Sequence, residues 1–164
     1  MRKLVSQGII MFAGLLATPV LPHALDTTEF KNSKNDPRFA LLKQFFERRG
    51  SPAREHVGDF ILAADRNKID WRLLPSISVV ESGGGREYRN NNILGWGSCN
   101  EKFPSVKAGI HAVARRLSTS SLYKNKGIEG ILRTYNSNAD YPSRVKKVMY
   151  TISPVVKPVL VMLD

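Results

Sequence analysis

A single cysteine, Cys99, rules out an intramolecular disulfide and any zinc site built from cysteine pairs. Acidic residues are scarce: 14 Asp and Glu stand against 25 Lys and Arg. That imbalance favours anionic partners such as nucleic acid, anionic lipid or an acidic cell-wall polymer. Beyond residue 25 there is no apolar run long enough to span a bilayer. Gly-x-Ser-x-Gly, phosphate-loop and His-Glu-x-x-His motifs are all missing, which leaves hydrolases and nucleotidases of those kinds without support. His56 and His111 are far apart and have no third ligand in any recognisable pattern, so neither a metal nor a cofactor is expected. Basic residues occur as short pairs, Arg48-Arg49, Arg115-Arg116 and Lys146-Lys147, rather than as one stripe. Such pairs read as solvated faces, and nucleic acid is not expected as a partner.

The 164 residues, 42% of them hydrophobic, suffice for one domain. The N-terminus predicts export. Arg2 and Lys3 precede the apolar run Gly8–Ala17, and Pro22, His23 and Ala24 place a small residue at a cleavage position. Residues 1–24 are therefore expected to be a signal peptide, with no stable membrane insertion after cleavage and a periplasmic or extracellular destination. Its removal takes away two basic residues and leaves a surplus of nine positive charges. Residues 25–35 are polar and read as a flexible segment.

From Asp36 the pattern is helical. Phe39, Leu42, Phe45 and Phe46 recur at helical spacing after Asp36-Pro37, and Gly50 closes the segment. Ser51-Pro52 opens a second helix, with Val57, Phe60, Ile61 and Ala64 on one side. Asp70 reads as the N-cap of a third helix through Leu73, Leu74, Ile77 and Val80, with Pro75 tolerated in its first turns. Gly83, Gly84 and Gly85 end it. Residues 86–103 read as loop. Further helices are expected from about Pro104 to Ser118, Ile128 to Thr134, and onward from Pro142. The apolar tail 153–164 is broken by Pro154 and Pro158. The expected architecture is a mainly α, single domain over 36–152, with a short irregular loop or small β insertion.

Glu81 draws attention on position alone. Residues 74, 77 and 81 share one stripe of a helix, and Leu74 and Ile77 are apolar. A carboxyl on that stripe, at the negative end of the helix dipole, is expected to be desolvated and to hold its proton more tightly, as a general acid requires. The alternative is a helix-end glutamate paired with one of the many basic residues.

Four segments in order, Val79-Val80-Glu81-Ser82-Gly83, Asn91-Asn92-Ile93-Leu94-Gly95-Trp96-Gly97, Tyr135-Asn136 and Tyr141, resemble the lysozyme-like superfamily. Within it the chain is most similar to the glucosaminidase family of bacterial peptidoglycan hydrolases, often labelled mannosyl-glycoprotein endo-β-N-acetylglucosaminidase-like. The lytic transglycosylases share the Glu-Ser and the late Tyr-Asn. The likeness covers roughly residues 60–150. It implies a lysozyme-like helical domain, working as a monomer, that cleaves the β-1,4 glycan strand of peptidoglycan. Glu81 would be the catalytic acid and Tyr135 its catalytic helper. Ser82, Asn92, Trp96, Asn136 and Tyr141 would be substrate contacts. For several of these a structural role is the alternative: core packing for Tyr135, turn support for Asn92 and Asn136, and a hydrophobic plug for Trp96. Only nine residues separate Ser82 from Asn92, which leaves little room for a β-lobe. No second carboxylate falls on a motif; Glu87 and Glu101 are the nearest. A glycosidase with one carboxylate can use the substrate's own N-acetyl group or hydroxyl in place of the second. A wall-binding protein that has lost the chemistry is the reading from another class.

Overall fold

The computed structural model describes residues 35–154, so the expected signal peptide, residues 25–34 and the tail beyond Pro154 lie outside the described residues. The described part is mainly helical, with six α-helices and no strand among the described residues. The helices are α1 (Pro37–Arg48), α2 (Val57–Asn67), α3 (Leu73–Ser82), α4 (Val106–Thr119), α5 (Ile128–Tyr135) and α6 (Tyr141–Ile152). A single 3-10 segment, Pro52–His56, leads into α2. None of these helices is long and apolar enough to cross a membrane.

Local sequence explains the boundaries. Asp36 caps α1 by accepting the Arg38 backbone N–H at 2.8 Å, and proline occupies the first turn, where no N–H is needed. Ser105 caps α4 by accepting from Ala108. That cap corrects the expected start at Pro104. The expected N-cap at Asp70 also needs correction, because α3 begins at Leu73. Asp70 instead forms a tight turn before it, accepting the Arg72 N–H at 2.9 Å and gripping the Arg72 guanidinium. Arg72 then reaches the carbonyl of Ser153 at 2.9 Å, tying the start of α3 to the end of α6. Pro75, third in α3, lacks an N–H at a position that would not have used one.

Packing follows the apolar stripes. The main interhelical pairs are α2 with α4 and α3 with α6; α1 closes over α2, and α5 lies on α6. Leu42, Phe46, Phe60, Leu74, Ile77, Ile110, Leu117 and Val145 are fully buried in one core. Phe46 stacks on Phe60 with ring centroids 5.8 Å apart. The three glycines after α3 all have positive φ. Gly84 passes so close to Ser51 that a Cβ there would lie 2.1 Å from the hydroxyl, which instead donates to the Gly84 carbonyl.

One carboxylate inside the α2–α4 pair is buried. Asp59 is 5% exposed. It faces His56 Nδ1 at 3.2 Å, Lys107 Nζ at 3.4 Å and His111 Nε2 at 3.9 Å. Burial alone would raise its pKa. The His111 and His56 contacts and the charge of Lys107 outweigh burial and hold the carboxyl well below the usual range. A depressed folded-state pKa means stability that is present above the unfolded pKa, near 3.9, and lost as pH falls below it. Asp59→Asn should therefore lower stability at neutral pH by about 1–3 kcal/mol. The deficit should shrink as the pH is taken below about 4. Urea unfolding of both proteins across that range checks this; a deficit independent of pH would mean that packing, not charge, holds the site.

Candidate active site

Helix α3 delivers Glu81 one residue from its C-terminal end, and a turn of three positive-φ glycines follows. Leu74 and Ile77 on the same stripe are fully buried, but Glu81 is only half-buried, because the stripe emerges into a cleft there. The expected desolvated carboxyl is therefore a half-buried one. The cleft has a volume of about 330 Å³ and is lined by Glu81, the 95–98 stretch of the loop, Tyr123, Tyr135 and Asn136. Glu81 is the one acidic residue in that lining.

The opposite wall is the 90–103 loop, and three consecutive asparagines shape it. Asn90 donates to the Cys99 carbonyl at 3.1 Å and Asn91 to the Phe103 carbonyl at 2.9 Å. Asn92 donates to the Trp96 carbonyl at 2.8 Å and accepts the Trp96 N–H at 3.0 Å. Asn90 and Asn91 hold positive φ, which asparagine tolerates better than most residues. The loop comes so close to α3 that a Cβ on Gly95 would lie 2.4 Å from Glu81 Oε2.

Ser82 fastens the two walls together. Its hydroxyl lies 2.7 Å from the Ile93 carbonyl and 2.9 Å from the Ser78 carbonyl, and it accepts the Gly85 N–H. Ser82 is 4% exposed and Asn92 is 1% exposed, with their polar atoms used inside the protein. The structure thus places both as supports of the cleft, in place of the expected substrate contacts. Tyr141 is also buried, at 1% exposure.

Aromatic rings fill the space beside Glu81. Tyr135 stacks parallel to Tyr141 at 6.0 Å and meets Trp96 edge-on at 5.5 Å; Trp96 also contacts Tyr123 at 5.7 Å. The Tyr135 hydroxyl donates to the Leu94 carbonyl at 2.6 Å, which pins α5 to the loop. Burial first, then the negative charge of Glu81, pushes the Tyr135 phenol well above its ordinary pKa. The same two causes raise Tyr141, whose hydroxyl lies near Glu81 without completing a hydrogen bond of ordinary geometry. Both rings stay neutral at physiological pH. Trp96 is half-buried, held between these tyrosines and the Arg116 guanidinium, 5.4 Å from the ring centre. Asn136 caps the turn after α5 by accepting the Asn138 N–H and lines the cleft.

The other acidic candidates lie elsewhere. Glu101 forms a two-point bond to Arg116 at 2.6 Å each, and that bond lowers its pKa. Glu87 is exposed and outside the cleft lining. No Lys or Arg among the described residues pairs with Glu81, so the helix-end ion pair that was its structural alternative is not formed. Among the described residues, no group of three or more His, Cys, Asp or Glu is arranged to hold a metal ion.

Two residues of the site were not signalled by any motif. Tyr123 sits in a polar stretch between α4 and α5, and only folding brings it against Trp96. Arg116 sits in a basic pair that reads as solvated, yet it links Glu101, Trp96 and Phe103.

The loop–helix contact at Gly95 can be tested. Gly97 also has positive φ, but a Cβ there would meet nothing. Gly97→Ala should cost about 1–2 kcal/mol of backbone strain alone. Gly95→Ala should cost more, because its Cβ displaces the Glu81 carboxylate. In a Glu81→Ala background the excess should vanish, a coupling of about 0.5–3 kcal/mol measurable by denaturant unfolding. Equal costs for the two glycines in both backgrounds would show that Glu81 does not confine the loop.

Compared with protein-family models, with curated proteins and with solved structures, the chain matches none.

Proposed function

We propose that the protein is an exported glycosidase that cleaves the β-1,4 glycan strand of peptidoglycan, with Glu81 as its general acid. The observation that carries this reading is the cleft itself. One carboxylate without a cationic partner among the described residues faces a space of about 330 Å³ walled by Trp96, Tyr123 and Tyr135. Aromatic faces suit the apolar faces of sugar rings. A carboxyl facing that space suits donation of a proton to a glycosidic oxygen bound there. The resemblance of the Glu81, Asn92–Gly97 and Tyr135-Asn136 segments to lysozyme-like enzymes points the same way. So does the charge, which draws the protein toward anionic wall polymers.

In this mechanism the Glu81 proton passes to the leaving oxygen while the C1–O bond breaks and positive charge grows on the sugar ring. Two-carboxylate glycosidases meet that charge with a second acid, either as nucleophile or through a bound water. The lining of this cleft offers none. That favours capture of C1 by the substrate's own oxygen. If the captor is a ring hydroxyl, its proton returns to Glu81 and an anhydro sugar forms, as in a lytic transglycosylase. If it is the N-acetyl oxygen, water gives a proton to the Glu81 carboxylate and adds to C1, which breaks the bridge to the N-acetyl oxygen, and the outcome is hydrolysis. Neutral Tyr135, bonded to Leu94, holds the loop wall against the developing charge.

Glu81→Gln keeps the shape of the side chain but removes the acidic proton. Muropeptide release from purified peptidoglycan should fall by about 10²–10⁴-fold, with thermal unfolding unchanged. Mass spectrometry of the wild-type products separates the two outcomes, because an anhydro product is lighter by one water. A stable variant that releases muropeptides at the wild-type rate would overturn the assignment. A stable wild type that binds the wall but releases nothing would favour a non-catalytic wall-binding protein.

A further inference from the structure

A second cavity, of about 350 Å³, lies between the α2–α3 connection, the end of α4 and the 123–128 loop. It shares Tyr123 with the Glu81 cleft, so the two spaces adjoin across one ring. Its rim is basic: Lys68 stands on one side, Lys124 and Lys126 on the other, all exposed. Lys126 Nζ donates to the Thr134 hydroxyl at 2.7 Å, and no carboxylate among the described residues pairs with Lys68 or Lys124. The one acidic residue in the lining, Asp70, is already held by Arg72. The floor is apolar, with Leu73, Leu117 and Ile131. Cationic groups around an apolar floor fit a short aliphatic peptide bearing a carboxylate, and fit an uncharged sugar poorly.

We propose that this cavity is a subsite for the carboxylate-bearing peptide branch of the same wall polymer whose sugar lies against Glu81. The inference rests on the peptidoglycan reading, but it makes a separate demand: the protein must distinguish branched glycan from bare glycan. An exposed lysine–carboxylate contact is worth about threefold in affinity, so two should give about tenfold.

The test is calorimetric binding to the full chain carrying Glu81→Gln, so that turnover does not consume the ligand. The probes are soluble glycan chains carrying their peptide branches, and the same chains after an amidase has hydrolysed the linking amide, which leaves a carboxylate on the sugar so that the two differ in the peptide alone. Branched chains should bind about tenfold more tightly. Lys68→Gln with Lys124→Gln should abolish that preference. Arg48→Gln with Lys147→Gln removes the same charge from exposed positions outside the cavity lining, and should retain it. Both double variants are surface changes, and thermal unfolding verifies that each is folded. Equal binding of the two probes, binding of neither, or equal loss in both double variants would overturn the subsite. Cleavage by wild type is measured in parallel. A branch preference lost only in the Lys68/Lys124 variant, from a protein that cleaves nothing, would support the subsite and overturn the catalytic reading.

Discussion

The hydroxyl of Ser82 bonds across to the Ile93 carbonyl, and the geometry of the cleft depends on that contact. It joins the last turn of α3 to the loop that faces it, inside a region closed to water. A buried hydroxyl without its partners is costly, so the register between helix and loop is tightly held. Gly95 can then lie against the Glu81 carboxylate, because it has no Cβ to be displaced. From there the order propagates outward. Asn92 closes the turn at Trp96, Tyr135 bonds Leu94 from α5, and Tyr141 of α6 stacks behind Tyr135. A half-buried acid is thus surrounded by parts that are each fixed by at least one buried bond or ring contact.

Charge is distributed with a similar economy. Two further acidic side chains are held by cations, Glu101 by Arg116 and Asp70 by Arg72, while Glu87 lies exposed outside the cleft lining. Asp59 is neutralised inside the α2–α4 pair. Glu81 is left facing neutral aromatic rings, whose ionisation is suppressed by burial and by Glu81 itself. This arrangement keeps the cleft from carrying opposed charges that would collapse onto each other. It also leaves much of the positive surplus for the surface, where it acts over about a Debye length, roughly 8 Å at physiological ionic strength.

Much of the helical framework was readable before folding was considered. Phe39, Leu42, Phe45 and Phe46 after Asp36-Pro37 mark α1, and the three glycines mark the end of α3, because spacing and backbone permissiveness are local properties. Helix starts were less legible. Asp70 has the chemistry of an N-cap, yet its carboxylate is taken by Arg72 in a turn, and α3 begins after it. The candidate site divides in the same way. Glu81 stood out because its stripe is apolar, and that stripe is real. Ser82 and Asn92 were expected as ligand contacts because they fall in the segments that resemble the lysozyme-like enzymes, but their polar atoms are bonded inside the protein.

What the sequence determined by itself was the set of helices, the break at Gly83–Gly85 and the position of one carboxylate at a helix end. These follow from periodicity and φ, which act over a few residues. What only the tertiary structure decided was which groups face that carboxylate. Tyr123 and Arg116 carry no local signal, and their places are set by how α4 packs on α2 and where the loop after it returns. Whether an asparagine or a serine faces solvent or the loop backbone is likewise settled by contacts between segments far apart in the chain. Burial and hydrogen-bond satisfaction are properties of the packed whole, and they assign those roles.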